Sequence, residues 1–149
     1  MPVRMVMLGV LGCMVLAASA GAAEPVGQIK ILEGPAEVVR GGAVAALGAG
    51  APVYAADEIV TKDKARLGLI FNDDTTLAMG PDSRLVVEKL DFEPGADKLD
   101  MGLALNQGTF SVQTGQIAKL APSHTDIRTP QMTIGIRGTS FLVKVDGNE

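Results

Sequence analysis

Cysteine is nearly absent from this chain: Cys13 is the only one in 149 residues, and it lies within the apolar first segment. No disulfide can therefore staple the remainder, and no thiol nucleophile is present there. Histidine is equally scarce. One His and one Cys exclude a zinc cluster of ordinary ligand count. Tryptophan is missing, and Tyr54 with four phenylalanines makes up the whole aromatic complement. Sugar-binding β-domains commonly rely on aromatic platforms, so this composition argues against a lectin-like role. Phe71, Phe92, Phe110 and Phe141 stand within or beside strand patterns, where core packing is expected. A basic face is lacking too. The net charge is −4, and removing Arg4, the one charge before Glu24, leaves 12 basic against 17 acidic residues. That balance disfavours nucleic acid and anionic membrane as partners.

Catalytic constellations are thin. His124 sits in Pro122-Ser123-His124-Thr125-Asp126, but a triad needs its groups converging on a cleft from separated elements. Neighbouring positions in one loop do not supply that geometry. Asp73-Asp74 and the pair Asp97 and Asp100 lie in separate loops without the acidic ladder of a calcium site, so turn chemistry is their expected role. The expectation is a protein that is not an enzyme and needs no cofactor or metal.

What is present begins with a leader. Arg4 precedes an apolar run from Met5 to Ala18, and Ala20-Gly21-Ala22 offers the small-residue pattern that a signal peptidase reads. The run is about 14 residues, short of the roughly 20 that a spanning helix needs. Residues 1–23 are thus expected to be a helical, cleaved secretory leader. The mature chain, residues 24–149, is expected to lie in the periplasm or outside the cell with no membrane span. Val10-Leu11-Gly12-Cys13 loosely matches a lipoprotein processing box, which would anchor the protein. The following Met14-Val15-Leu16 stays apolar where a lipoprotein turns polar, so Cys13 reads as part of the leader's core.

Beyond the leader the sequence is a series of short alternating runs separated by turns. In Arg66-Leu67-Gly68-Leu69-Ile70-Phe71, positions 67, 69 and 71 share one face. Arg84 to Glu88, Thr133 to Ile136 and Phe141 to Val145 have the β-branched and aromatic content of half-buried strands. Asn72-Asp73-Asp74-Thr75 is a tight hairpin signal. Gly80-Pro81-Asp82-Ser83 marks the next turn, and residues 93–97 a longer loop. No capped apolar pattern of helical period follows the leader. The reading is all-β: an antiparallel-rich domain of many short strands, arranged as a sandwich, a barrel or a short solenoid. Leu67, Leu77 and Val87 recur every ten residues, which hairpin geometry explains better than a true repeat.

The most specific stretch is Thr129-Pro130-Gln131-Met132-Thr133-Ile134-Gly135-Ile136-Arg137-Gly138-Thr139-Ser140-Phe141. It resembles the signature of the FecR-type periplasmic domain, in which Thr-Pro leads into a G-x-R-G-T-x-F turn. Gly34-Pro35-Ala36-Glu37-Val38 is similar to that family's opening strand, residues 47–53 to its small-residue loop, and Asp57-Glu58-Ile59-Val60-Thr61 to its D-x-I-x-T segment. Phe71 to Leu77 followed by Pro81-Asp82-Ser83-Arg84-Leu85 resembles its paired turns. The resemblance implies a periplasmic protein-interaction or signal-relay module whose partner is an envelope receptor or membrane sensor. The family's iron-transport regulators also carry a cytoplasmic segment that handles a sigma factor, and a membrane helix. Here a removable leader stands in their place, so no signal is expected to cross the inner membrane through this chain alone. The sequence stops at Glu149, where relatives continue with further strands, so a minimal or shortened domain is expected.

Arg137, held between Gly135 and Gly138, suits a fork onto a carboxylate or loop carbonyls. A structural tie through Asp73, Asp74 or Asp82 is the expected role, with docking or anion binding as the alternative. For the whole chain, the alternative to relay is an envelope structural or cell-wall glycan-binding protein.

Overall fold

The alternating runs become twelve strands of a single sheet in the computed structural model, which describes residues 24–134 and 140–146. The proposed leader, and the Gly135, Arg137, Gly138 and Thr139 of the G-x-R-G-T turn, lie outside the described residues.

Strands succeed one another end to end rather than folding back at every turn. β1 (Gly27–Glu33) runs into β2 (Ala36–Arg40) through Gly34-Pro35. β5 (Glu58–Thr61) runs into β6 (Arg66–Phe71), and β7 (Thr76–Met79) runs into β8 (Arg84–Glu93). β9 (Lys98–Gln113) spans the whole length alone. β6 and β7 form the hairpin expected around Asp73-Asp74, and β8 and β9 pair antiparallel across residues 94–97. Between β2 and β5 lie the short β3 (Ala43–Ala46) and β4 (Pro52–Val53). After β9 come β10 (Thr125–Arg128), β11 (Thr133–Ile134) and β12 (Ser140–Val145).

The result is one sheet creased across its middle. One wing has the order β4-β1-β6-β7-β9-β12, the other β3-β2-β5-β8-β9-β10-β11. All pairings are antiparallel except β10 with β9. The crease passes through Gly34-Pro35, residues 62–65, residues 80–83 and the middle of β9. The all-β, antiparallel-rich expectation holds, and of the three architectures the barrel is the nearest: the sheet curls into half a barrel around its own core.

β9 shows how alternation generates the crease. Met101, Leu103 and Leu105 face inward on one wing, Phe110 and Val112 on the other, so the inward parity switches from odd to even. One extra residue does this, because Arg84 pairs with Gln107 while Leu85 pairs with Leu105. Such a bulge flips which face is buried and bends the strand. Gly108, at φ 105°, completes the bend in a region that side-chain-bearing residues avoid.

Both wings feed one core. Leu67, Leu77 and Val87, ten apart in sequence, are all buried, and they lie on β6, β7 and β8 as hairpin and corner partners rather than as solenoid repeats. Phe71 and Phe110 are fully buried, and Phe92 and Phe141 pack against the same cluster. The sequence showed no helix after the leader, yet α1 (Gln116–Leu120) is present. Five residues are too few for a helical period to register, and the cap comes from elsewhere in the chain, as described next.

Candidate functional site

Asp57, Thr61, Asp73, Asp74 and Ser83, singled out in the sequence, fall in three places. Each place resolves into a tie between segments distant in sequence.

The first is the crease. Thr61, 1% exposed, donates from its hydroxyl to the Gly80 carbonyl at 2.7 Å and accepts from the Ser83 amide at 2.9 Å. The Ser83 hydroxyl in turn accepts from the Thr109 amide at 3.2 Å, and the Gly80 amide donates to the Thr109 carbonyl at 2.9 Å. Pro81 and Asp82 shape this corner, Asp82 adopting φ 51°. Two buried hydroxyls thus satisfy the backbone groups that a creased ladder leaves unpaired.

The second is the buried turn at Asp73, whose side chain is fully shielded from solvent. Its carboxylate accepts from the Thr75 amide at 3.1 Å, the Thr75 hydroxyl at 2.8 Å and the Ile117 amide at 3.2 Å. The Asp73 carbonyl accepts from the Gln116 amide at 2.7 Å, and the Thr75 hydroxyl accepts from the Gly115 amide at 2.9 Å. Asp73 therefore caps α1 from 44 residues away, where Gly115, the residue preceding the helix, offers no side chain. A carboxylate at the first turn satisfies orphan amides and complements the helix dipole. Asp74 adds a bond from Gln116 Nε2 at 2.8 Å.

The third joins Arg40 to Asp57. Arg40 Nε and Nη2 fork onto the two carboxylate oxygens at 2.8 and 2.7 Å, and the Tyr54 amide donates to the same carboxylate at 2.9 Å. The guanidinium lies 4.4 Å from the Tyr54 ring centroid. Hydrogen bonding to Asp57 raises the Arg40 pKa further above its already high value, so the fork stays charged. Asp57 is 1% exposed and the Arg40 side chain 48% exposed, which makes the pair asymmetric. Losing the Arg strands a buried carboxylate, whereas losing the acid leaves a cation that water can solvate. Arg40→Ala is expected to cost about 2 kcal/mol and Asp57→Asn about 1 kcal/mol, with the double variant less destabilised than Arg40→Ala alone. Urea unfolding of the three variants checks this, and equal losses from both single changes would contradict it.

The D-x-I-x-T segment is thereby accounted for: Asp57 holds the fork, Ile59 is core, and Thr61 ties the crease. Among the described residues no buried side-chain nitrogen or oxygen lacks a partner. The sequence gives no role to Arg40, because nothing local links it to an acid 17 positions away, and none to Tyr54, whose ring meets Arg40 only in the folded sheet.

The Thr-Pro signature falls on the surface. Thr129 closes the turn between β10 and β11, its amide donating to the Met132 carbonyl at 2.8 Å and its hydroxyl accepting from the Met132 amide at 3.2 Å. Pro130 is exposed in that turn, and Phe141 in β12 packs on the core edge. His124 is paired with Asp100 at 3.1 Å in an exposed 3-10 turn. No group of three metal-ligating side chains occurs among the described residues, and no helix there is long and apolar enough to cross a membrane.

The two outer faces of the sheet differ in kind. On the wing containing β2, β5 and β8, opposite charges pair across strands: Lys62 with Glu37 at 3.3 Å, Arg84 with Glu58 at 3.3 Å, and Arg128 with Glu88. On the other wing a single cross-strand row runs Ile31, Gly68, Ala78, Ser111, Leu142 over β1, β6, β7, β9 and β12. The three central residues are small and the two flanking ones stand proud, Ile31 62% and Leu142 74% exposed. They bound a groove of about 440 Å³ with Glu33 and Arg66 at its rim, which continues over the same small floor past Lys30 toward Gln113 and Ser140.

A protein-family comparison matches residues 57–149 to the family described as FecR protein. No curated protein matches, and no solved structure matches.

Proposed function

The chain belongs to the FecR family, and from that premise we propose that it is an exported, non-catalytic module that relays signals in the cell envelope by docking a protein partner. One observation carries the reading. The buried motif side chains among the described residues are engaged in internal ties, while the groove between Ile31 and Leu142 is open, with a floor of small residues and Glu33 and Arg66 at its rim. Apolar flanks on a small-residue floor suit the side chains of an extended protein segment. The Met5–Ala18 apolar run with its small-residue end supports export to the periplasm. The partner class is an envelope receptor or a membrane-bound sensor.

Affinity capture from envelope extract, run beside retention on purified cell wall, tests this. A discrete membrane-protein partner is expected with the native chain and is lost in Ile31→Glu and Leu142→Glu, both surface changes that leave the fold intact. Retention on wall material alone, unaffected by those changes, would replace relay with the glycan-binding alternative.

A further inference from the structure

Four strands end the two wings among the described residues: β4, β12, β3 and β11. Exposed edges invite pairing with other chains, and proteins blunt them by shortness, proline or charge. β4 has two residues and contains Pro52, β11 has two residues, and β12 carries an exposed Lys144. β3, Ala43-Val44-Ala45-Ala46, carries none of these devices. All four of its residues are exposed, Val44 at 61%, and no charged side chain occurs anywhere from Gly41 to Ala56.

The free groups on that edge follow from register. β2 and β3 are joined by Gly41-Gly42, both at positive φ, with Arg40 opposite Ala43 and Val38 opposite Ala45. In a two-residue hairpin the closing pair is hydrogen-bonded, and bonding then alternates along the ladder. The Leu47 amide bonds the Ala36 carbonyl at 2.9 Å, in phase with that alternation. Val44 and Ala46 therefore point their amides and carbonyls away from β2.

We propose that β3 is a self-association edge, pairing antiparallel with β3 of a second copy about a two-fold axis through Ala45. In this register Val44 faces Ala46 of the second copy and Ala46 faces its Val44, which forms four main-chain hydrogen bonds. Ala43, Gly42 and Gly41 then meet Leu47, Gly48 and Ala49, so no charge and no bulky polar group opposes the contact. Register selects the occupant: the two-fold axis brings the same outward amides and carbonyls of Val44 and Ala46 together, and in a chain of net charge −4 no like charges meet over residues 41–49 of the two copies. So short an interface places the dimer in the weak, concentration-dependent class.

Sedimentation velocity from about 1 µM to about 1 mM is the direct test, a span that brackets weak association. The native chain is expected to shift from monomer to dimer. Val44→Pro removes an outward amide without touching the β2 ladder, so it is expected to stay monomeric at unchanged melting temperature. Val44→Lys, which restores an edge charge, is expected to do the same. In a Cys13→Ser background, Ala45→Cys is expected to cross-link under mild oxidation several-fold faster than Val44→Cys, because only position 45 meets itself. A native chain monomeric throughout the range, with no preference for cross-linking at 45, would overturn the proposal in favour of a different protein on this edge. A dimer that persists in both Val44 variants would overturn it by placing the interface elsewhere. Neither outcome bears on the groove beside Leu142, which lies on the opposite wing.

Discussion

Gly108→Ala is expected to destabilise the domain by about 3–5 kcal/mol, the sum of left-handed backbone strain and forced overpacking. At φ 105° an L side chain is strained whatever the space around it, and here there is none. An added Cβ would meet Ser83, whose Cα would lie 2.5 Å away. Ser83 cannot step aside cheaply, since its amide and hydroxyl are committed to Thr61 and Thr109. Relief of the clash therefore means releasing the crease, with its switch in inward parity along β9. Urea unfolding with an unchanged slope would show lost stability rather than a changed denatured state. Gly95→Ala is the control: its Cβ would meet nothing within 4 Å, and a change within about 0.5 kcal/mol is expected. A loss below about 1 kcal/mol for Gly108→Ala would mean that the crease is not held as described.

Asp73→Ala is the second large effect, about 3 kcal/mol, because it leaves three donors without an acceptor in a site closed to water. The damage should spread in a defined direction. α1 loses the carboxylate that caps the Ile117 amide, so amide exchange should quicken at Ile117 and its neighbours Gly115 and Gln116 before it does in β6. Ile117 is fully buried, and the loosened helix would withdraw that side chain from the core. Asp73→Asn, which keeps one acceptor oxygen, should fall between the native chain and the alanine variant. Asp74→Asn should change stability by less than about 0.5 kcal/mol, since it retains tolerance of φ 69° and its side chain is exposed. Similar losses at 73 and 74 would show that the turn, rather than the remote cap, carries the energy.

These two residues show where local reading stops. Asp73-Asp74 is legible as a turn, because short acidic side chains between two apolar runs favour one for reasons contained in a few residues. That Asp73 reaches Ile117 is not legible, because no propensity encodes a contact across 44 positions. The same holds for the fork between Arg40 and Asp57. The D-x-I-x-T segment could be matched to a family, but its Asp has a role only once β2 lies beside β5. β3 is not legible in the sequence because an alanine-rich run has no alternation to detect, yet its place at the end of a wing makes the missing charge meaningful.

Composition and period by themselves determined that this polypeptide forms short strands around an apolar interior, without disulfides, and that its turns fall at Asn72–Thr75 and Gly80–Ser83. Those properties depend on a residue and its near neighbours: side-chain alternation, backbone tolerance of Asp and Gly, and the rarity of Cys, His and aromatic rings. Tertiary structure alone decided the crease, the remote cap and the small-residue groove between Ile31 and Leu142. Each of these joins groups from strands far apart in the chain, so its energy exists only after the sheet has brought them together.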